Sequence, residues 1–340
     1  MNDPLFENLV HQATSGRDLT SDQMESAIAQ MLAGEIADEA MGRLLLALRQ
    51  KGESVSELVG AAKALRSAMT LITTIRSNLL DTCGTGGDGA KTFNISTAAA
   101  IVAAAAGASV AKHGNRKITS ATGSADVLSE LGIRIDAPRE VVERCLDTLG
   151  ICFCFAPLLH PAMRHVAQVR RALGVPTLFN YLGPLCNPAG AAFQVLGVGK
   201  DGLQDKLAAS MAQLPIRAAL IVRGEDGMDE ISLSAVTQVR YVRDGKTQSM
   251  TWSPDDFGLA MIDPKELHAE NPQESAQVIR SVLEGRRGAA RDIVLANAAA
   301  GVWLTGLESD LKQAVARCAN SIDSGTARKT LEALAAMSHT

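Results

Sequence analysis

The sequence predicts an α/β protein in which a small all-helical N-terminal unit precedes a larger α/β unit with a mainly parallel central sheet. The first observation is that residues 1 to about 72 read as helices only, while from Leu79 short β-type runs alternate with helical ones. Such alternation marks strands joined by crossover helices. The second is compositional: hydrophobic residues make up 46% of the chain but aromatics only 3%, so Ala, Leu and Val must fill most of the core. Small aliphatic residues suit helices packed closely on a sheet. The sharpest break falls near Ser77-Asn78, which gives expected units of residues 1–72 and 79–340.

In the first unit, Thr20 with Gln23 and Ser54 with Glu57 have capping-box spacing, each ahead of apolar residues at helical intervals. Leu44, Leu45, Leu46 and Leu48 crowd the middle helix. Burial within the chain and an interface to another subunit both account for them. In the second unit, strand Leu79–Cys83 leads to helix Ser96–Ala106, and strand Ser109–Lys112 to helix Ser124–Leu131. Helix Val141–Leu149, strand Ile151–Phe155 and a helix from Pro161 to Leu173, closed by Gly174, come next. Strand Phe193–Val198, helix Leu203–Leu214 and strand Ala218–Val222 follow. Val236–Arg243 and Thr247–Trp252 flank Asp244-Gly245 as a hairpin, and the chain is helical again from about Gln273, including Arg291–Leu304.

At 340 residues the chain is long enough for a sizeable core. A net charge of −4 and a pI near 5.9 argue against a general binder of nucleic acid or anionic membranes. The six cysteines are scattered; Cys152 and Cys154 alternate in an apolar run as reduced residues of a buried strand. The N-terminal residues have no basic and apolar signal pattern, and the Ala98–Ala106 run is too short to span a membrane. A cytoplasmic location is expected.

Three stretches carry anion or metal chemistry. Gly84, Gly86 and Gly87, with Gly89 close behind, strip side chains from a loop, so that backbone N–H groups can approach one anion. Thr92, Asn94, Ser96 and Thr97 add donors where a helix begins, an end that favours negative charge. Lys112-His113-Gly114-Asn115-Arg116 follows a strand and leads into Thr119, Ser120, Thr122 and Ser124, a second candidate anion loop. Gly224-Glu225-Asp226-Gly227-Met228-Asp229-Glu230 follows another strand; its carboxylates suit Mg²⁺, which takes one or two of them plus substrate phosphates. His160 reads as a cap or pocket-wall residue, and Arg170 and Arg171 could reach a carboxylate bidentately. No nucleophile–base pair stands out, so the chemistry points to positioning and charge stabilisation.

These stretches closely resemble the anthranilate phosphoribosyltransferase family. The resemblance rests on Asp81–Asp88, Phe93–Thr97, Lys112–Arg116, Thr122–Asp126, His160–Met163, Phe179–Pro188 and Gly224–Glu230. It continues through Asp255–Leu259 and Asn297–Ala300 to Ile322–Gly325. It implies a nucleoside phosphorylase/phosphoribosyltransferase-like fold, with a segment at about 165–185 joining the helical unit and a homodimer formed through that unit. It also implies transfer of phosphoribose from 5-phospho-α-D-ribose 1-diphosphate to anthranilate with Mg²⁺. Gly84, Gly87, Asp88, Thr92, Asn94, Ile95, Ser96, Thr97, Lys112, His113, Gly114, Asn115, Arg116, Lys117, Ile118, Thr119, Ser120 and Ser124 would then bind substrate. Ser96, Asp229 and Glu230 would hold metal, Asn115 and Arg170 would contact anthranilate, and Gly84 would lie between the two substrates. The chain departs from the family at Thr119-Ser120, Arg223, Cys186 and Tyr181; the last falls in the segment expected to line the aromatic substrate's tunnel. Closure of the two units about Ser77 is expected to exclude water. The rival readings are a pyrimidine nucleoside phosphorylase-like enzyme, against which Asp229-Glu230 speaks, and a non-catalytic nucleic-acid-binding relative, which should be basic.

Overall fold

The computed structural model describes residues 4–116 and 123–340. Four helices come first: α1 (Pro4–Thr14), α2 (Ser21–Ala33), α3 (Asp38–Lys51) and α4 (Val55–Ser67). Both capping boxes close: the Gln23 and Thr20 N–H groups donate to Thr20 Oγ1 and Gln23 Oε1, and Ser54 and Glu57 repeat the exchange. Glu57 also accepts from Leu19 N–H and from Lys51 Nζ, so one buried carboxylate ties three segments together. Leu44, Leu45 and Leu48 point into the core, while Leu46 remains 44% exposed.

The sheet contains five parallel strands, β1 (Leu79–Gly84), β2 (Ser109–Gly114), β3 (Ile151–Phe155), β4 (Phe193–Gly197) and β5 (Ala218–Gly224). An antiparallel hairpin, β6 (Thr237–Arg243) and β7 (Lys246–Trp252), completes it. Asp244 and Gly245 both take positive φ (50° and 72°) at the turn, the backbone a two-residue hairpin with right-handed strand twist requires. Strand order is β3-β2-β1-β4-β5-β6-β7. The chain thus runs outward from β1 and then crosses back to lay β4 on the other side of β1. Such a switch point opens a crevice beyond the strand ends.

The connecting helices are α5 (Ile95–Ala105), α6 (Ser124–Glu130), α7 (Arg139–Leu149), the short α8 (Ala156–Leu159), α9 (Arg164–Leu173), α10 (Phe179–Leu182) and α11 (Leu203–Met211). The stretch Pro161–Met163, expected to open a single helix, is a 3₁₀ turn ahead of α9. After the short α12 (Pro254–Phe257) come α13 (Pro272–Leu283), α14 (Ala289–Leu304), α15 (Leu311–Asp323) and α16 (Thr326–Ser338).

Strand periodicity divides the molecule between two apolar cores. Val195, Leu220 and Val222 face α5 and α14, whereas Leu196, Ala219 and Ile221 face the core shared with α1–α4 and α11. Successive strand residues point to opposite faces, so these runs must be apolar throughout. Val166, Val169, Phe179, Leu182 and Cys186 also pack into that second core. This packing supports the division we propose, residues 1–72 and 79–340 with residues 165–185 seated on the helical unit. Residues 73–76, beside the expected hinge, are fastened to α7. Thr73 N–H and hydroxyl donate to Glu143 Oε1, Thr74 and Ile75 bond Asp147, and Arg76 donates to the Asp147 carbonyl. Those residues therefore belong mechanically to the α/β unit, and a pivot near Ser77 would have to break this strap.

Candidate active site

A cavity of about 600 Å³ opens beyond the carboxyl ends of β1 and β2, with residues that follow β3 and β5 also in its lining. At its polar end the chain leaves β1 at Gly84 and reaches the N-terminus of α5, where the Asn94 side chain accepts from Thr97 N–H at 3.1 Å. The loop between is pinned at both ends: Thr85 N–H donates to the Gly197 carbonyl, and Phe93 N–H to the Leu267 carbonyl. Gly84 is required by close approach, since a Cβ there would lie 2.5 Å from Asp229 Oδ2. Gly197 meets the same demand, because its Cβ would fall on the Asp229 backbone.

Of the acidic loop's carboxylates, only Asp229 and Glu230 line the cavity, where Asp88 joins them. Asp226 instead accepts from the Ser232 and Ser234 hydroxyls at 2.6 Å each, and Glu225 from Gln238, so both shape the loop. Asn297 of α14 clamps its far end, accepting from Ile231 N–H and donating to the Ile231 carbonyl. Burial, then the neighbouring Asp88 charge, pushes Asp229 up to about 7. Burial and then Asp229 drive Glu230 well above the usual carboxylate range. The polar end thus holds more carboxylate than cation, an imbalance that a divalent ion would correct. Among the described residues no three His, Cys, Asp or Glu side chains gather into a metal cage by themselves. That agrees with an ion that draws its remaining ligands from substrate and water.

Lys112 is the cation beneath this end. Its side chain turns inward from β2, and Nζ donates to the Thr82 carbonyl and to Ser96 Oγ (3.2 Å). Burial lowers its pKa, with Asp81 the main opposing charge. Lys112 therefore supports Ser96 from below instead of standing out on a loop. Asp81 itself is buried and accepts from His113 N–H at 3.0 Å. Sequence reasoning left it among the motif residues without a role, because nothing local shows that a strand aspartate faces a lysine on the neighbouring strand.

The other end is built by residues far apart in the chain. His113 Nδ1 lies 3.1 Å from the Gly183 carbonyl, and His113 Nε2 lies 3.2 Å from His160 Nε2. A carbonyl only accepts, so Nδ1 carries the proton of neutral His113, and His160 Nε2–H donates to His113 Nε2. Burial lowers His113 to about 4, and burial with the adjacent His113 lowers His160 to about 3. Arg170 reaches the cavity with its guanidinium 5.6 Å from the Phe179 ring centre, and among the described residues no carboxylate pairs with it. Burial pushes its pKa down.

Of the substrate-binding and metal residues expected from the sequence, Gly84, Asp88, Thr92, Asn94, Ile95, Ser96, Lys112–Arg116, Ser124, Arg170, Asp229 and Glu230 line this one cavity. Gly87 and Thr97 do not: Thr97 is fully buried in the first turn of α5. Arg116 is exposed and paired with Asp126 at 3.1 Å. Lys117, Ile118, Thr119 and Ser120 lie outside the described residues. Phe179 and Asn180, from the segment expected to line the tunnel, are in the lining, while within that segment Tyr181 turns its hydroxyl to 3.5 Å from Lys200 Nζ. Alternate residues of a single helical turn point apart, which takes Tyr181 away from the face that carries Phe179 and Asn180. Met163, Arg164 and Phe179 also line the cavity; Met163 and Phe179 fall within the resemblance motifs without a role assigned to them, and Arg164 has no signature beyond a basic helix.

Residues 7–69 match the helical bundle domain of a glycosyl transferase family, and residues 76–328 match its a/b domain. Anthranilate phosphoribosyltransferase of Rhodopirellula baltica is 51% identical, covering 97% of this chain and 96% of that protein. The Symbiobacterium thermophilum enzyme of the same name is 46% identical, covering 97% of each. The crystal structure of anthranilate phosphoribosyltransferase from Thermus thermophilus superimposes with a TM-score of 0.90 at 40% identity, covering 98% of this chain and 99% of that one. The Saccharomyces cerevisiae enzyme in complex with PRPP and Mg gives 0.90 at 28% identity over 99% of each chain. The chain belongs to the anthranilate phosphoribosyltransferase family.

Proposed function

We propose that this chain transfers the phosphoribosyl group of 5-phospho-α-D-ribose 1-diphosphate to the amine of anthranilate, releasing diphosphate and N-(5-phospho-β-D-ribosyl)anthranilate. One observation carries the reading: a single cavity joins a backbone-lined, carboxylate-rich end to an end that presents the guanidinium of Arg170, which donates to Asn180 Oδ1 at 3.5 Å and among the described residues has no carboxylate partner. The first end suits a metal-bound diphosphate, and the second an aromatic carboxylate.

The aromatic amine is neutral at pH 7, so no strong base is needed to make it a nucleophile. Departure of diphosphate from C1 is the demanding step. N–H groups of the Gly84–Gly89 loop, with Ser96 N–H at the start of α5, would face the charge that develops on the leaving group once Asp229 and Glu230 no longer accept from them. Ser96, Asp229 and Glu230 would hold Mg²⁺, which when bound supplies positive charge to the diphosphate. Lys112 holds the Ser96 hydroxyl in place from beneath. Arg170 would orient the anthranilate carboxylate with Asn115 alongside, so that the amine meets C1 on the face opposite the leaving group. Gly84 stands between the two ends and gives both substrates room. The neutral His113–His160 pair closes the wall without adding a charge that would compete with Arg170.

The proposal extends to a homodimer through the helical unit, where Leu5 of α1 and Leu46 of α3 are 72% and 44% exposed, and to a cytoplasmic location. Among the described residues no helix is long and apolar enough to cross a membrane. Anthranilate fluorescence tests the activity. It should fall only when the sugar diphosphate and Mg²⁺ are both present, and an unchanged signal in the complete mixture would overturn the reading.

A further inference from the structure

The carboxylates at the polar end already occupy backbone N–H groups. Asp229 Oδ2 accepts from Gly86 N–H at 2.8 Å, in the middle of the glycine loop. Glu230 Oε1 accepts from Ser96 N–H at 3.1 Å, in the first turn of α5. Asp88 does the same, accepting from Ala90 N–H at 3.2 Å and from Asp229 N–H at 3.5 Å. The two features that mark the site as an anion receptor, a glycine loop and a helix N-terminus, are thus each filled by one of the chain's own carboxylates. The fit is close on all sides: Gly84 and Gly197 lack room for a Cβ because Asp229 lies against them.

We propose that Asp229 and Glu230 plug the protein's anion seats, so that a diphosphate gains those N–H groups only when a divalent cation draws the two carboxylates onto itself. This rests on the reading of Asp229 and Glu230 as metal ligands and adds a second task for them. A backbone N–H serves one strong acceptor at a time, so carboxylate and phosphate oxygens compete for it. With the plugs in place, a metal-free diphosphate meets occupied donors and three carboxylates of its own sign. With a cation present the same carboxylates become its ligands, the donors are freed, and most of the site's negative charge is offset. Cation and diphosphate then strengthen each other's binding by the same factor. The plug also makes the empty loop a poor seat for free anions of the cell.

Calorimetric binding of inorganic diphosphate, with EDTA or with Mg²⁺, tests this without turnover. The wild type should bind metal-free diphosphate weakly and gain affinity with Mg²⁺. The variant Asp229→Ala/Glu230→Ala should bind metal-free diphosphate about tenfold tighter than wild type. Equal or weaker binding by the variant in EDTA would overturn the proposal. The Mg²⁺ arm judges the metal reading separately: a variant that keeps the full wild-type gain with Mg²⁺ removes Asp229 and Glu230 as ligands, whatever EDTA shows. If thermal melting shows the double variant unfolded, Asp229→Ala is compared with Asp229→Asn. Asn loses the charge but keeps the acceptor, so several-fold tighter binding by Ala than by Asn in EDTA supports the plug, and equal binding by the two overturns it.

Discussion

The diphosphate end and the aromatic end of the cavity are built on opposite principles. The first is charged, made of backbone donors and short side chains at the ends of adjacent strands. It is held by contacts so close that Gly84 and Gly197 leave no room for a methyl group. The second carries the guanidinium groups of Arg164 and Arg170, on a mid-chain segment that packs against the helical unit, beside the neutral pair of His160 with His113 of β2. The first is framed by the ends of strands, whereas the walls of the second belong largely to short helices. Charge handling and acceptor recognition are thus assigned to structurally separate supports.

The largest expected effect tests whether the charged end carries the chemistry. Asp229→Asn with Glu230→Gln should lower Mg²⁺-dependent turnover about a thousandfold in steady-state assays while anthranilate still binds. Near-normal turnover would mean that charge at this end is not what drives departure of the leaving group. Next, Gly197→Ala places a methyl on the Asp229 backbone and should cost about 3 kcal/mol in denaturant unfolding. A neutral outcome would show that the charged end yields more easily than its packing implies. Third, Arg170→Ala should raise KM for anthranilate about tenfold and leave KM for the sugar diphosphate unchanged. Equal effects on both would erase the distinction between the ends.

The last test concerns pH. His113 and His160 titrate near 4 and 3 in the fold, against 6.5 in an unfolded chain, so the unfolded state binds more protons in between. Their contribution to stability is complete above pH 6.5 and is lost as pH falls toward 4 and 3. Asp229, raised to about 7, acts in the opposite sense between about pH 4 and 7, because its proton is retained only in the fold. Thermal melts of His160→Gln against wild type isolate the histidine contribution: the variant should lose less stability on acidification from pH 6.5 to 4. Parallel curves would show that the pair is solvated.

Local sequence alone determined the element order, the two capping boxes, the Asp244-Gly245 hairpin and the contiguous loops of the charged end. Each depends on residues within a few positions of one another, where backbone preference and spacing act directly. Gly84 and Ser96 could be read for this reason, as could the pair Asp229-Glu230. The tertiary structure decided which way side chains face. It turned Lys112 under Ser96, buried Thr97 and pointed the Tyr181 hydroxyl toward Lys200. It also set Asn297 as the clamp of the acidic loop and joined His113 to His160 across 47 positions. Those outcomes depend on strand order and on the packing of the mid-chain segment against the helical unit. Both are long-range contacts that no local pattern encodes, because a side chain's direction is fixed only once the surface it packs against exists.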